Sequence, residues 1–390
     1  MERGNRRPSI RPEIARVEEY VPGESLDAFS ARTGVPVERL IKLNSNESPY
    51  PPSPRVAAAL GVFTAYNLYP DPDGHTLSDD LARYTGVAPC HLVFSNGSNE
   101  LIAQLWRVFL GPGDSVLTCS PTFSLYTTAT TLAGAELIAV PRRDDYEIDL
   151  PAVLGALRDD TRVIVLCSPN NPTGNLLARA DLDALLATGR LVVVDEAYIE
   201  FAGDDALAHS PIQHVPDHDN LVVLRTFSKW AGLAGLRLGY GAFPTWIVPH
   251  VRKLQLPFEV NLAAHIAARE TLADLPYLRR RIAELVAERD HLAAILAEQP
   301  YLRVFPSRGN FVLAEITDPR LSVAAFRARM ESTGIILRYF RTPDLARHVR
   351  LTVGTAADTD ALARVLAGLR DDLNVSGVPA TAERAVEPVH

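Results

Sequence analysis

The chain has 390 residues, 47% apolar and 22% charged, enough for one large domain and a smaller one around a sizeable core, which excludes global disorder. A net charge of −8 argues against nucleic acid as the main partner, and no apolar run approaches the roughly 20 residues that a membrane helix requires, so no membrane association is expected. Arg3, Arg6, Arg7 and Arg11 precede no apolar stretch, and Cys90, Cys119 and Cys167 are too widely spaced for a disulfide framework or a zinc site, so a soluble cytoplasmic protein without a metal is expected.

Residues 1–45, with Pro8, Pro12, Pro22 and Pro36, read as an N-terminal arm that packs with a small domain. Residues 46–270 alternate short Val-, Ile- and Leu-rich runs with longer helix-like stretches. The runs are His91–Phe94, Ser115–Cys119, Glu136–Val140, Arg162–Cys167, Arg190–Val194 and Asn220–Leu224. Strands spaced this way imply βαβ units and a mostly parallel sheet flanked by helices, with the ligand site beyond the carboxyl ends of the strands. From 271 to 370 the pattern changes. Pro276–Glu298 predicts a long amphipathic helix, with Leu278, Ile282, Leu285, Leu292 and Ile295 near helical spacing. Strand-like Arg303–Phe305 and Asn310–Glu315, a helix over Val323–Ser332, strands at Ile335–Tyr339 and His348–Val353 and a helix through Leu369 follow, which together predict a smaller α+β domain. Residues 371–390 lack periodicity and read as a loose tail.

The basic residues comprise 36 arginines and only three lysines, Lys42, Lys229 and Lys253. A lysine kept in such a background merits a chemical reading, because an amine forms an imine with a carbonyl and a guanidinium does not. Lys42 and Lys253 read as surface charges; the surroundings of Lys229 point elsewhere.

Four strand ends in the large domain carry polar clusters. Leu92–Phe94 runs into Ser95-Asn96-Gly97-Ser98-Asn99, where Ser98 and Asn99 suit a helix start whose free amides attract an anion; an ordinary strand-to-helix turn has the same look. Val163–Cys167 runs into Ser168–Gly174, where two prolines bracket Asn170 and Asn171 and would hold the Asn171 amide ready to donate to a phenolate oxygen, or merely make a turn. Leu191–Val194 ends on Asp195, and a carboxylate closing a buried strand needs a partner: a protonated pyridine nitrogen, a helix cap or an internal cation would serve. Tyr198 follows within reach of the same pocket. Leu221–Leu224 leads to Ser228 and Lys229 in an apolar run, where desolvation would lower the amine's pKa, and Arg237 follows as a fork-shaped cation that with Ser228 suits a phosphate. An amine, a buried carboxylate, an amide donor, a phenol and a phosphate cradle on one sheet edge match the aldehyde, pyridine nitrogen, 3-hydroxyl and phosphate of pyridoxal 5′-phosphate.

Ser168–Gly174 (SPNNPTG), Asp195–Phe201 (DEAYIEF) and Thr226–Tyr240 (TFSKWAGLAGLRLGY) resemble the fold-type I pyridoxal-phosphate aminotransferases, and more closely their histidinol-phosphate branch. The likeness runs from about Arg11 to Leu369 and extends to Lys42–Pro49 (KLNSNESP), Asn67–Pro70 (NLYP), Ile335–Arg338 (IILR) and Val349–Thr355 (VRLTVGT). The resemblance implies the α/β fold of those transferases, a large cofactor domain plus a smaller α+β domain, and a homodimer with shared active sites. It implies that Lys229 is the imine-forming catalytic lysine, that Asp195 partners the pyridine nitrogen, and that Asn171 and Tyr198 bond the 3-hydroxyl oxygen. Phe123 would stack on the ring, where relatives often have Tyr; Ser98, Asn99, Ser228 and Arg237 would hold the phosphate, joined by Tyr69 from the other subunit. Trp230 and Ser48 depart from the usual motifs without touching these roles.

The same resemblance implies amino transfer from a small-molecule amine to 2-oxoglutarate, with L-histidinol phosphate as donor in histidine biosynthesis. Arg338 and Arg350, with Tyr20, Asn46, Tyr69 and Asn171, would meet the substrate, either arginine also being readable as a surface charge. An aminotransferase of the same branch acting on aromatic or other amino acids, a phosphothreonine-type decarboxylase on the same scaffold, and a non-catalytic binding protein are the alternatives; intact Lys229, Asp195 and Arg237 argue against the last.

Overall fold

The computed structural model describes residues 9–17, 23–71, 74–203 and 206–375. Its strands in chain order are β1 (Ile41–Leu43), β2 (Leu92–Ser95), β3 (Ser115–Ser120), β4 (Glu136–Pro141), β5 (Thr161–Cys167) and β6 (Leu191–Asp195), followed by β7 (Leu221–Thr226), β8 (Gly239–Ala242), β9 (Leu302–Phe305), β10 (Phe311–Ile316), β11 (Ile335–Tyr339) and β12 (His348–Thr352). They form two sheets.

The larger sheet has the order β2-β8-β7-β6-β5-β3-β4, and the neighbours from β7 through to β4 are all parallel. Its centre is buried along its whole length, apolar until the strand ends at Asp195 and Arg225-Thr226: every residue of β6 and β7 is buried, as expected for parallel strands covered on both faces. The expected strands appear within one or two residues. Strand β8 was not expected from its sequence, because Gly-Tyr-Gly-Ala carries no β-branched run; it runs antiparallel between β7 and β2 and returns the chain after the Lys229 segment. The helix Ser98–Phe109 packs its Leu101, Ile102, Leu105 and Trp106 into the core.

The smaller sheet has the order β1-β11-β12-β10-β9. Strand β1, also unforeseen, pairs in parallel with β11 (Ile41 opposite Ile335), so the segment just before residue 46 is part of this sheet, and its other pairings are antiparallel. The long helix spans Leu275–Ala297 and buries Leu278, Leu285, Leu292 and Leu296. The last helix, Ala356–Val375, carries on past the expected boundary, so Asp371 to Val375 are helical rather than part of a loose tail. The remainder of that tail lies outside the described residues.

Because all the parallel strands point the same way, the loops after β2, β5, β6 and β7 emerge on one edge. Beside them, β12 brings the second sheet up to the first through long-range side-chain contacts, and the site is built at this junction.

Candidate active site

Asp195 closes β6 and is 2% exposed. The buried Tyr126 hydroxyl donates to its Oδ2 at 2.9 Å, while Oδ1 is buried with no hydrogen-bond partner. Burial pushes this carboxyl up to about 6, against the opposing pull of the Tyr126 bond. The next residue behaves differently. Alternation along the strand turns Glu196 to the other face, where Arg225 Nε donates to its Oε2 at 2.9 Å and the Ser210 hydroxyl at 2.7 Å. Glu196 is ion-paired with Arg225, whereas Asp195 has no ion pair among the described residues and keeps Oδ1 open.

Beyond β7 the chain turns through Ser228 to Lys229, whose Nζ donates to the Ser45 carbonyl at 3.0 Å and lies 6.0 Å from the Tyr198 ring centre. Burial, with Arg350 nearby as the second cause, lowers this amine to about 8. Tyr198 Oη accepts from Asn46 Nδ2 at 3.1 Å and from Asn171 Nδ2 at 3.4 Å, and burial raises its phenol to about 12. An amine, a phenol and an amide therefore converge over the carboxyl end of the sheet.

A short way along the same edge, the helix Ser98–Phe109 starts from Gly97 with no side chain capping it, which leaves its first amides and the positive end of its dipole available to an anion. Ser98 and Ser228 are buried there, Asn99 is exposed, and Arg237 NH1 donates to Ser228 Oγ at 3.4 Å. Two glycines make this corner possible. A Cβ on Gly239 would stand 2.1 Å from the Ser98 amide nitrogen, and Gly97 (φ 98°) would carry one 2.5 Å from Arg237 NH2. The half-buried Phe123 sits edge-on to Tyr126, with ring centres 5.8 Å apart.

The second sheet closes the site from the opposite side. Arg350, 7% exposed, donates from NH1 to Asn171 Oδ1 at 2.5 Å and from NH2 to the Asn44 carbonyl at 2.7 Å. Thr352 Oγ1 accepts from the Asn46 amide at 2.9 Å and donates to Asn46 Oδ1 at 3.1 Å, fixing Asn46 in its left-handed conformation (φ 53°). Arg338 stands opposite Arg350 in the β11–β12 ladder, half-buried and with no hydrogen-bond or ion-pair partner among the described residues.

The structure thus gathers Lys229, Asp195, Tyr198, Asn171, Asn46 and Arg350 into one cluster, places Ser98, Asn99, Ser228 and Arg237 at its anion-attracting corner, and sets Phe123 and Arg338 on its borders. Tyr69 does not join it: this ring is 77% exposed and stacks on Phe258 at 4.2 Å. Tyr20 lies outside the described residues. Tyr126, Thr352 and the carbonyls of Asn44 and Ser45 went unread in the sequence. Backbone carbonyls carry no residue signal, and only the three-residue spacing of Tyr126 from Phe123 hinted that the two share a pocket. Among the described residues no group of three His, Cys, Asp or Glu could hold a metal ion, and no helix is long and apolar enough to cross a membrane.

These groups fit pyridoxal 5′-phosphate. The depressed amine would suit the aldehyde, the bare buried carboxylate oxygen the ring N–H, the phenol and amide pair the phenolic oxygen, and the uncapped helix start with two serines and an arginine the phosphate. Residues 38–366 match the family model described as aminotransferase class I and II. Over 364 residues the chain is 43% identical to the histidinol-phosphate aminotransferase of Roseiflexus castenholzii, an alignment covering 92% of this chain and 97% of that protein. It is 37% identical over 358 residues to the chloroplastic histidinol-phosphate aminotransferase of Nicotiana plumbaginifolia, covering 92% of this chain and 86% of the relative. The crystal structure of histidinol-phosphate aminotransferase from Sinorhizobium meliloti in complex with pyridoxal-5′-phosphate superposes with a TM-score of 0.83 at 28% identity, covering 95% of this chain and 99% of that one.

Proposed function

The chain belongs to the class I and II aminotransferases, and we propose that as a pyridoxal-phosphate enzyme it moves the amino group of L-histidinol phosphate to 2-oxoglutarate, yielding imidazole-acetol phosphate and L-glutamate. The observation that carries the choice of donor is the pair Arg338 and Arg350, held opposite each other in adjacent strands. Like charges so placed repel, and an anion between them relieves the cost. A dianionic phosphate suits two guanidinium forks, and the carboxylates of glutamate and 2-oxoglutarate would use the same forks in the second half of the cycle.

When bound, pyridoxal phosphate supplies an aldehyde for the substrate amine and a ring that accepts the electron pair left when the carbon beside that amine loses its proton. Lys229 moves that proton. With its amine near 8, a useful fraction is neutral at physiological pH and ready to accept, and the ammonium it becomes can return the proton. Asp195, with Oδ1 open, would pair with the ring nitrogen and keep it protonated. Asn171 and Tyr198 would bond the phenolic oxygen, Phe123 would pack against the ring, and Ser98, Asn99, Ser228 and Arg237 would hold the phosphate. The exposed Tyr69–Phe258 stack suits a homodimer in which Tyr69 reaches the site of the second subunit.

Steady-state rates with 2-oxoglutarate as acceptor test the donor. Histidinol phosphate is expected to give a higher kcat/KM than histidinol, which lacks the phosphate, or phenylalanine. Faster turnover of phenylalanine would move the assignment to aromatic amino acids, and carbon dioxide release without any acceptor would move it to a lyase.

A further inference from the structure

We infer that Tyr126 is a positioning residue for the cofactor: its hydroxyl occupies one oxygen of Asp195 so that the other stays ionised and aimed at the ring nitrogen. The inference rests on the assignment of Asp195 to that nitrogen. Tyr126 is wholly buried in the helix Leu125–Leu132, and its hydroxyl donates to Asp195 Oδ2 at 2.9 Å. A carboxylate in this position needs support, since it closes a fully buried strand with no cation bonded to it among the described residues. Glu196, one residue on, is held by Arg225 and Ser210. Among the described residues the Tyr126 phenol is the one side chain that donates to Asp195, with a weaker contribution from the Ala197 backbone, and a phenol suits the task. As a neutral donor it favours the ionised carboxylate without competing for the charge that a pyridinium brings. With Oδ2 fixed, rotation about the carboxylate's bond is removed, and the single oxygen left bare, Oδ1, is the one with no other partner.

Burial drives the Tyr126 phenol well above its ordinary pKa, so it remains a donor throughout the working range. The other titratable groups facing Asp195 are the Cys167 thiol on β5, itself pushed up by burial, and Tyr198 and Glu196 on its own segment. None of the three donates to Asp195 among the described hydrogen bonds. Phe123 packs edge-on against the Tyr126 ring, so one aromatic pair spans the distance from the ring-stacking position to the carboxylate.

The test is Tyr126→Phe, which keeps the ring and its packing and removes only the hydroxyl. Binding is measured by equilibrium dialysis of the cofactor-stripped full-length protein against 4-deoxypyridoxine 5′-phosphate, which lacks the aldehyde and reports contacts other than the lysine's. Affinity is expected to fall about ten-fold, the ratio carried by one hydrogen bond to a charged group. Loss of the donor also raises the Asp195 pKa, so the fall in affinity on acidification begins at higher pH than in the wild type. In an Asp195→Asn background, Tyr126→Phe is expected to change little further, as it acts through that carboxylate. Wild-type affinity and an unmoved pH profile in Tyr126→Phe, with Asp195→Asn strongly impaired, would overturn the role of Tyr126. An unimpaired Asp195→Asn would instead overturn the assignment of Asp195. Equal losses from Tyr126→Phe in both backgrounds would show a packing effect and also refute the inference.

Discussion

Asp195, Lys229 and the Ser98 helix start stand on the edge of one sheet, locked by consecutive backbone ladders through β5, β6, β7 and β8. Arg350, Thr352 and Arg338 stand on another sheet, where Arg350 and Thr352 also brace Asn44 and Asn46 just after β1, and this side meets the first through side-chain bonds such as Arg350 to Asn171, Asn46 to Tyr198 and Lys229 to the Ser45 carbonyl. The two halves therefore differ in how much can change without unfolding. On the cofactor side the backbone ladder sets position to a fraction of an ångström, and desolvation sets the chemistry. On the side proposed to meet substrate, position across the junction depends on hydrogen bonds that a single substitution removes, which would suit a region that sets donor specificity while the chemistry beneath stays the same.

Substitution at the chemical centre separates the two halves most sharply. Lys229→Ala is expected to lower kcat by about 10⁴-fold, the upper reach of a positioned acid–base group, while the melting temperature of the cofactor-free protein stays close to that of the wild type. A large loss of stability would mean that the lysine also braces the fold. Arg350→Ala should lower kcat/KM for histidinol phosphate by about a hundred-fold, since it removes an anion contact and strands the buried Asn171 carbonyl oxygen. Cofactor affinity, measured by dialysis, should change far less; if it fell in parallel, the halves would be one unit.

Smaller effects sharpen the division. Arg338→Ala removes a side chain with no protein partner among the described residues, so KM for the phosphorylated donor should rise about ten-fold with the melting temperature unmoved. KM for phenylalanine, which has no phosphate, would rise less. Thr352→Val deletes both bonds to Asn46 and should cost about 1–3 kcal/mol in urea unfolding, with a modest rise in KM. The smallest effect is one of pH. The Lys229 amine is lowered to about 8 by folding, from an ordinary value near 10.5, so the unfolded chain binds more protons between those values and the cofactor-free protein gains stability as pH rises through that window. Lys229→Ala should flatten that rise in melting scans taken from pH 8 to 10.5.

The same division marks what could be read in advance. Lys229 stood out because the chain uses arginine nearly everywhere else, and Asp195 because a carboxylate ending Leu-Val-Val-Val is costly without a partner. Asn171, Tyr198, Ser98, Ser228 and Arg237 lay in contiguous stretches beyond strands whose apolar runs were plain. Strand β8 escaped because pairing, not propensity, makes a strand of Gly239–Ala242, and β1 because three residues carry too little pattern. Tyr126 escaped because it gains meaning only opposite Asp195, 69 residues away in sequence.

By itself the sequence determined the succession of strands and helices, the parallel sheet and the identity of the groups at its carboxyl edge, because strand period and desolvation cost are properties of neighbouring residues. The tertiary structure alone decided that Arg350 meets Asn171, that Thr352 holds Asn46, that Tyr126 supports Asp195 and that Tyr69 stands exposed on Phe258. Such contacts join residues from tens to hundreds of positions apart. Their geometry comes from how two sheets and a helix pack, a global arrangement that no local stretch of sequence encodes.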